Sequence, residues 1–284
     1  MRVMVTGAAG QLGSCIVERF KAFADVAMFG RRQLDIADEP SVLSAVRDHR
    51  PDILINCAAF NDVDGAEERP ADALAVNALG VLSLARAAAE TGATLIHYST
   101  DFVFDGTAER PYTESDPPCP LGAYAASKLL GEWFAADATA WYVLRVESLF
   151  GGKAARSSVD RIVAAIRRGE PARVFVDRTV TPSYVEDVAA ATAQLIDLRP
   201  PVGVYHCVNT ESTTWLGIAE EAARLLQAPP AFVHTRVDEV RFKAPRPRFC
   251  ALSNEKLASA GIAMPRWQEA LARYLASSPP AERC

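Results

Sequence analysis

The chain has 284 residues, half of them hydrophobic and 23% charged, with a formal net charge of −5 at pH 7. That length suits one large domain or two joined ones, and the composition is that of a globular protein with a true core. The mild negative charge argues against nucleic acid or an anionic membrane as main partner, and no apolar run is read as approaching the ~20 residues of a membrane helix.

Arg2 to Thr6 reads as a strand, which leaves no room for a signal peptide. Gln11 to Ala22 reads as a helix with Leu12, Ile16, Val17 and Phe20 on one face. Val26 to Phe29 is a second strand, and Pro51 to Asn56 a third and buried one. A long alanine-rich helix is expected over Ala71 to Thr91, then a fourth strand over Ala93 to Tyr98. Tyr124 opens a helix that runs to Ala136, and Trp141 to Val146 is a fifth strand. Strands alternating with helices imply right-handed βαβ units and a parallel sheet covered on both faces.

After Leu149 the rhythm loosens. Arg173 to Val176 and Val202 to Cys207 read as strands, Val185 to Leu198 and Trp215 to Gln227 as helices, with interruptions at Pro229, Pro230 and Ala244 to Pro247. The expected fold class is α/β: a Rossmann doubly wound parallel sheet over 1–150, joined again by 177–205. A smaller C-terminal α/β substrate lobe, 151–176 and 206–284, would lie over the sheet's carboxyl edge, where such folds bind ligands. Ser277 to Cys284 is expected to fray. The cysteines Cys15, Cys57, Cys119, Cys207, Cys250 and Cys284 form no C-x-x-C pair. Reduced thiols in a cytoplasmic protein follow, with no metal site signalled.

The first strand runs straight into Gly7, Gly10 and Gly13 and then into a helix. Gly7 permits the tight turn, Gly10 lets the backbone approach a pyrophosphate, and Gly13 lets the helix pack close to the strand. The helix amino terminus, with Gln11 and Leu12, offers free N–H groups to the anion. The second strand ends at Gly30, Arg31 and Arg32. Two guanidinium groups suit a 2′-phosphate, so NADP(H) is favoured and NAD(H) stays possible. The alternative is that both arginines are solvated surface. Asp35, beside Ile36, is placed for the adenine. The small residues Cys57, Ala58 and Ala59 after strand three leave room for a cofactor to cross. Asn77, a poor helix former, is read either as a tolerated helical residue or as a hydrogen-bonding partner of backbone beside the active-site strands.

Tyr124 and Lys128 stand four apart, on one helical face. A neighbouring ammonium favours the phenolate and brings a tyrosine nearer to working pH as an acid. The same lysine can reach a nicotinamide ribose. Thr100, at the carboxyl end of strand four, supplies a hydroxyl to hold a substrate carbonyl.

These residues resemble the extended short-chain dehydrogenase/reductase superfamily and, within it, the dTDP-4-dehydrorhamnose reductase family. The likeness covers nearly the whole chain. It is carried by Gly7 to Gly13, Leu34 to Ile36, Arg50 to Ala59, Val63 to Glu67, Tyr124 to Glu132, Arg145, Gly203 to His206, Thr213 to Trp215 and Arg246 with Pro247. Its most specific block is His97 to Gly106. The resemblance implies hydride transfer to C4 of a nucleotide-linked 4-keto-6-deoxysugar. Tyr124 would then be proton donor, Thr100 would orient the carbonyl, and Lys128 would assist. It also implies that Asp101, Phe102 and Val103 line the sugar site and that Arg246 helps hold the nucleotide diphosphate. Ser148 stands where the family carries a tryptophan, beside an unexpected Glu147. Some members use magnesium; no ligand cluster in the sequence places it. The partners expected are a nucleotide-sugar substrate, no nucleic acid and no membrane, in a monomer or homodimer. Two alternatives remain: an epimerase or dehydratase with bound NAD, and a non-catalytic NADP-binding regulatory subunit.

Overall fold

The computed structural model describes residues 1–153 and 157–277. Its first half is a regular succession. β1 (Arg2–Thr6), α1 (Gln11–Phe20), β2 (Asp25–Phe29), α2 (Glu39–His49), β3 (Ile53–Asn56) and α3 (Val63–Glu68) are followed by α4 (Pro70–Leu74) and α5 (Gly80–Thr91). Then come β4 (Thr94–Thr100), a 3-10 turn at Asp101–Val103, α6 (Ala123–Ala135) and β5 (Ala140–Val146). The second half is cut finer: β6 (Leu149–Phe150), α7 (Ser158–Arg168), β7 (Ala172–Phe175), β8 (Thr179–Val180), β9 (Ser183–Tyr184), α8 (Val185–Leu198) and β10 (Gly203–His206). β11 (Thr213–Thr214), α9 (Trp215–Leu225), β12 (Phe232–Thr235), α10 (Glu255–Ser259) and α11 (Trp267–Ser277) complete it.

Six strands form one parallel sheet in the order β10–β5–β4–β3–β1–β2. Successive side chains alternate between its faces. Val3, Val5, Ile53, Ile55 and Ile96 pack into one layer; Met4, Leu54, Leu95 and Val143 pack into the other. A sheet apolar on both faces needs helices on both, and the βαβ connections supply them. The chain reverses direction across the sheet at β1, and the carboxyl ends of β1, β3, β4 and β5 open on one crevice.

α4 and α5 are joined without a break by a π-helical turn, Ala75–Leu79. The resulting helix, Pro70–Thr91, is 22 residues long with a mean hydropathy of 1.3 over its most apolar stretch. This corrects the expectation that no apolar run nears membrane-spanning length. The helix is apolar because Val81, Leu84, Ala85 and Ala88 pack on the sheet, and 56% of that stretch is buried. α2 went unread in the sequence, although Pro40 in its first turn and Val42 and Val46 four apart mark it. β12 also escaped, hidden behind Pro229 and Pro230; it pairs in parallel with β7. Of the tail expected to fray, Ser277 closes α11, and 278–284 lie outside the described residues.

Candidate active site

The crevice begins at the turn from β1 into α1. Gly7 has φ +64°, and a Cβ there would lie 2.5 Å from the Ala58 amide nitrogen. A Cβ on Gly13 would lie 2.2 Å from the Gly7 carbonyl oxygen. Both positions therefore need glycine, one for conformation and contact, the other for contact. Gly10 caps α1 in an extended conformation, and no side chain takes the first-turn N–H groups. A helix start left open in this way fits an anion. A cavity of about 250 Å³ runs beside it, lined by Gly7, Gly10, Arg31, Asp35, Ile36 and Cys57 to Ala59. Arg31 reaches this wall, with its guanidinium 3.9 Å from the Asp35 carboxylate and its side chain 84% exposed. Arg32 is exposed and is not among the lining residues.

A second cavity of about 350 Å³ shares Gly10 and Cys57 to Ala59 with the first. Gln11, Leu12 and Gly13 line it from α1; Thr100, Asp101 and Phe102 line it from the end of β4; Tyr124 and Lys128 line it from α6; Ser148 lines it beyond β5. Thr100, Tyr124 and Lys128 thus face one space beside the glycine turn. Ser148 sits at φ +46°, a left-handed residue turning the chain from β5 into β6.

Lys128 is 3% exposed and is tied to the sheet as well as to its helix. Its ammonium donates to the Tyr98 carbonyl at 2.6 Å and lies 3.3 Å from His97 Nε2. A buried string of side chains fixes that neighbour. Thr6 Oγ1 and the Ala58 amide both donate to Asn56 Oδ1, at 2.7 and 3.0 Å, so Asn56 Nδ2 faces His97 Nδ1 at 3.0 Å. His97 is held neutral, well below the usual histidine range, by burial and by the Lys128 charge. Burial lowers the Lys128 pKa to about 8.

The ammonium does not have the expected effect on the phenol. Tyr124 is 8% exposed and packs edge-on to Phe102, ring centroids 5.8 Å apart. Its pKa lies above the ordinary tyrosine value, raised first by burial and then by the Asp101 charge, with Thr100 acting in the opposite direction. Lys128 is turned to Tyr98 and His97 instead, so Tyr124 stays a firmly protonated phenol.

Three residues singled out in the sequence do not line the catalytic cavity. Val103 is fully buried in a cluster with Phe104, Tyr112 and Leu129, because the 3-10 turn after β4 points it inward, and it does not line the cavity. Asn77 is also fully buried, and of its two readings the hydrogen-bonding one is what the structure shows. Its Oδ1 accepts from the Phe60 amide at 2.8 Å, and its Nδ2 donates to the Phe60 carbonyl and to Ser127 Oγ. The π turn aims Asn77 at the strand-three loop and holds that loop to α6. Arg246 pairs with Asp64 at 2.9 Å, and its guanidinium lies 5.9 Å from the Phe102 ring and 4.7 Å from the Phe242 ring. It stands beside Phe102 without lining the catalytic cavity.

Other groups around the site had no contacts assigned to them from the sequence. Arg145 makes a two-pronged pair with Glu132, at 2.9 and 2.7 Å, with both side chains buried, and Ser99 donates to the same carboxylate. This pair ties β5 and β4 to α6. Behind Asp101 lie Glu147, Cys250 and Arg178. A third cavity, of about 310 Å³, is lined by Arg161, Arg173, Arg178, Phe175 and Trp215. The Trp215 indole N–H is buried and has no hydrogen-bond partner among the described residues. These side chains come from separate short elements, and only the fold brings them together.

Comparison with known proteins agrees with this geometry. The sequence pattern of the RmlD substrate binding domain family matches residues 1–279. The chain is 36% identical over 285 residues to a dTDP-4-dehydrorhamnose reductase of Streptomyces griseus, covering 95% of this chain and 91% of the relative. It is 39% identical to the enzyme of the same name from Mycobacterium tuberculosis, covering 97% and 93%. A crystal structure of dTDP-4-dehydrorhamnose reductase from Bacillus anthracis, in complex with NADP, superposes with a TM-score of 0.93 at 31% identity, covering 98% of this chain and 99% of that one. With the doubly wound sheet, the open helix start and the Thr–Tyr–Lys cavity in place, the chain belongs to the RmlD substrate binding domain family.

Proposed function

We propose that this protein is an NADPH-dependent reductase of a nucleotide-linked 4-keto-6-deoxysugar, acting as dTDP-4-dehydrorhamnose reductases do. One observation carries the assignment: the Thr100 hydroxyl, the Tyr124 phenol and the Lys128 amine line one cavity that opens onto the glycine turn. The activity named for relatives 36% and 39% identical over nearly the full chain supports it.

Gly7, Gly10, Gln11, Leu12 and Gly13 hold the cofactor pyrophosphate at the start of α1, and Cys57 to Ala59 leave it space. Arg31 suits the 2′-phosphate; Arg32 has the weaker claim. When bound, the nicotinamide supplies a hydride to C4. Thr100 orients the ketone, and Tyr124 gives its proton to the alkoxide. Tyr124 arrives protonated because burial and Asp101 hold it so. Lys128, charged below about pH 8, lessens the cost of the phenolate once the proton has left. Asp101, Phe102 and Ser148 surround the sugar. Arg246, with the cavity of Arg161, Arg173, Arg178 and Trp215, suits the nucleotide diphosphate: guanidinium groups for phosphate, and a ring and a free N–H for the base. Magnesium is given no role. Asp101, Glu147 and Cys250 form a metal-capable group, and the Arg178 guanidinium already donates to its sulfur.

The enzyme is proposed to be cytoplasmic, monomeric or homodimeric, with 1–150 and 177–205 as the cofactor domain and 151–176 with 206–284 as the substrate lobe. The test is NADPH oxidation with a panel of dTDP-, GDP- and CDP-linked 4-keto-6-deoxyhexoses. Turnover that Tyr124→Phe abolishes is the expected result. No turnover with any of them overturns the assignment, and conversion without net NADPH loss points to an epimerase.

A further inference from the structure

Two carboxyl groups are buried together behind the sugar side of the catalytic cavity. Asp101 follows the last residue of β4 and is 5% exposed; Glu147 follows the last residue of β5 and is 1% exposed. Their oxygens and the Cys250 sulfur include a set of atoms all within 4.8 Å of one another. Few groups face the pair. Arg178, ahead of β8, donates to the Pro247 carbonyl at 3.0 Å and to the Cys250 sulfur at 3.4 Å, and its charge acts on both carboxyls. Cys250 keeps its proton, since burial holds its thiol well above the ordinary value, and the thiol hydrogen is within reach of both the Pro247 carbonyl and the Asp101 carboxyl, which it helps to hold down. Tyr124 faces Asp101 from α6 as a neutral phenol. The Thr181 amide donates to Glu147 Oε2 at 2.7 Å, while Glu147 Oε1 has no hydrogen-bond partner among the described residues. Asp101 Oδ1 accepts from the Thr100 hydroxyl at 2.9 Å.

One guanidinium balances one carboxylate. Two buried carboxylates side by side repel, so a proton is retained between them. Burial raises both, Asp101 to about 6 and Glu147 well above the ordinary glutamate value. A hydrogen on Oε1 makes that bare buried oxygen a donor, with the Asp101 carboxyl in the same cluster to receive it.

We propose that Glu147 is a positioning residue for the reduction: it shares one proton with Asp101 and so sets the direction in which the Thr100 hydroxyl points. At rest the proton is on Glu147 Oε1, Asp101 is the carboxylate, and Thr100 spends its hydrogen on Asp101. When a ketone oxygen enters, the proton passes from Glu147 to Asp101. Asp101 then donates to Thr100 Oγ1, and the hydrogen of Thr100 turns to the ketone. One O–H bond breaks on Glu147 and one forms on Asp101. The negative charge moves to Glu147, where the Thr181 amide and Arg178 hold it. Nothing is oxidised or reduced.

This inference rests on the reductase assignment, and its tests keep the two apart. In the full chain without substrate, carbon NMR titration of side-chain carboxyls is expected to show one proton held by the pair at pH 7. In Glu147→Gln, Asp101 should then titrate closer to the ordinary aspartate range. Ordinary titration of both groups in the wild type overturns the proposal. In turnover, Glu147→Gln is expected to lower kcat at least tenfold with little change in KM or NADPH affinity. The pair's limb should vanish from the kcat–pH profile while the Lys128 limb stays. The double variant Asp101→Asn/Glu147→Gln should recover most of the loss, because an amide N–H replaces the donor to Thr100. A wild-type kcat and profile in Glu147→Gln, or multiplying losses in the double variant, overturns it. Should Glu147→Gln fail to fold, Glu147→Asp serves in its place: a retained pH limb is expected, and a lost one counts against the proposal. Wild-type protein with no turnover sinks the reductase assignment and leaves the titration to decide the pair.

Discussion

The two sides of the crevice are built by different means. On the cofactor side the walls are backbone and small side chains: the Gly7 turn, the open start of α1, and Cys57 to Ala59. On the substrate side the walls are ionisable groups taken out of water: Lys128, Asp101 and Glu147, with the Arg145–Glu132 pair and His97 behind them. Backbone shape is indifferent to pH and salt. Buried charges are not, and each depends on a partner for its place. One fold can therefore keep a fixed grip on a constant cofactor while the opposite wall stays chemically responsive.

The largest expected effect lies on the substrate side. Tyr124→Phe removes the proposed proton donor and should lower kcat by roughly 10²–10⁴ with NADPH affinity kept, as read by steady-state kinetics and fluorescence titration. Equal losses in both would break the division. Next comes Arg145→Ala, which leaves Glu132 buried without its partner and should cost about 3–5 kcal/mol in denaturant unfolding. Gly7→Ala is the matching blow to the cofactor side. It strains a φ of +64° and drives a Cβ against Ala58, so NADPH affinity should fall sharply. Retained affinity would show that the turn can be rebuilt.

pH sharpens the contrast. Lys128 holds a pKa of about 8, below the ordinary 10.5, so its ammonium is present below about pH 8 and lost as pH rises through it. Above that point kcat/KM should fall about tenfold per unit, while adenine-end binding changes less. The sign for folding is the reverse. Between 8 and 10.5 the unfolded chain still carries the proton that the folded one has released, so this residue's contribution to stability rises with pH. The smallest effect concerns Arg31 and Arg32. Arg31→Ala should reduce the preference for NADPH over NADH by about tenfold, the scale of one charged hydrogen bond. Arg32→Ala should do less, since Arg32 is absent from the cavity wall.

The same contrast governs what could be read in the sequence. The sheet, the glycine turn and the Tyr124–Lys128 spacing were legible because each is local: short apolar runs, a spacing of four, or closely spaced glycines. Glu147 was visible as an unexpected charge but not as a partner of Asp101, because its neighbours Asp101, Arg178 and Cys250 lie far away in the chain. Asn77 showed itself as a poor helix former, yet the π turn that aims it at Phe60 leaves no mark in periodicity. Val103 was misplaced because its neighbours in the His97 to Gly106 block line the cavity and only the 3-10 turn distinguishes it. β12 and the cavity around Trp215 depend on pairings between short segments with no pattern of their own.

The third cavity has a consequence for how such an enzyme diversifies. Its walls come from α7, β7, α9 and the segment before β8, where Arg178 links it to Asp101. Under the proposed assignment, substitutions there would exchange the carrier to which a sugar is attached and leave the chemistry at C4 intact. The architecture is modular in the engineer's sense, with a handle and a working end that can be refitted separately.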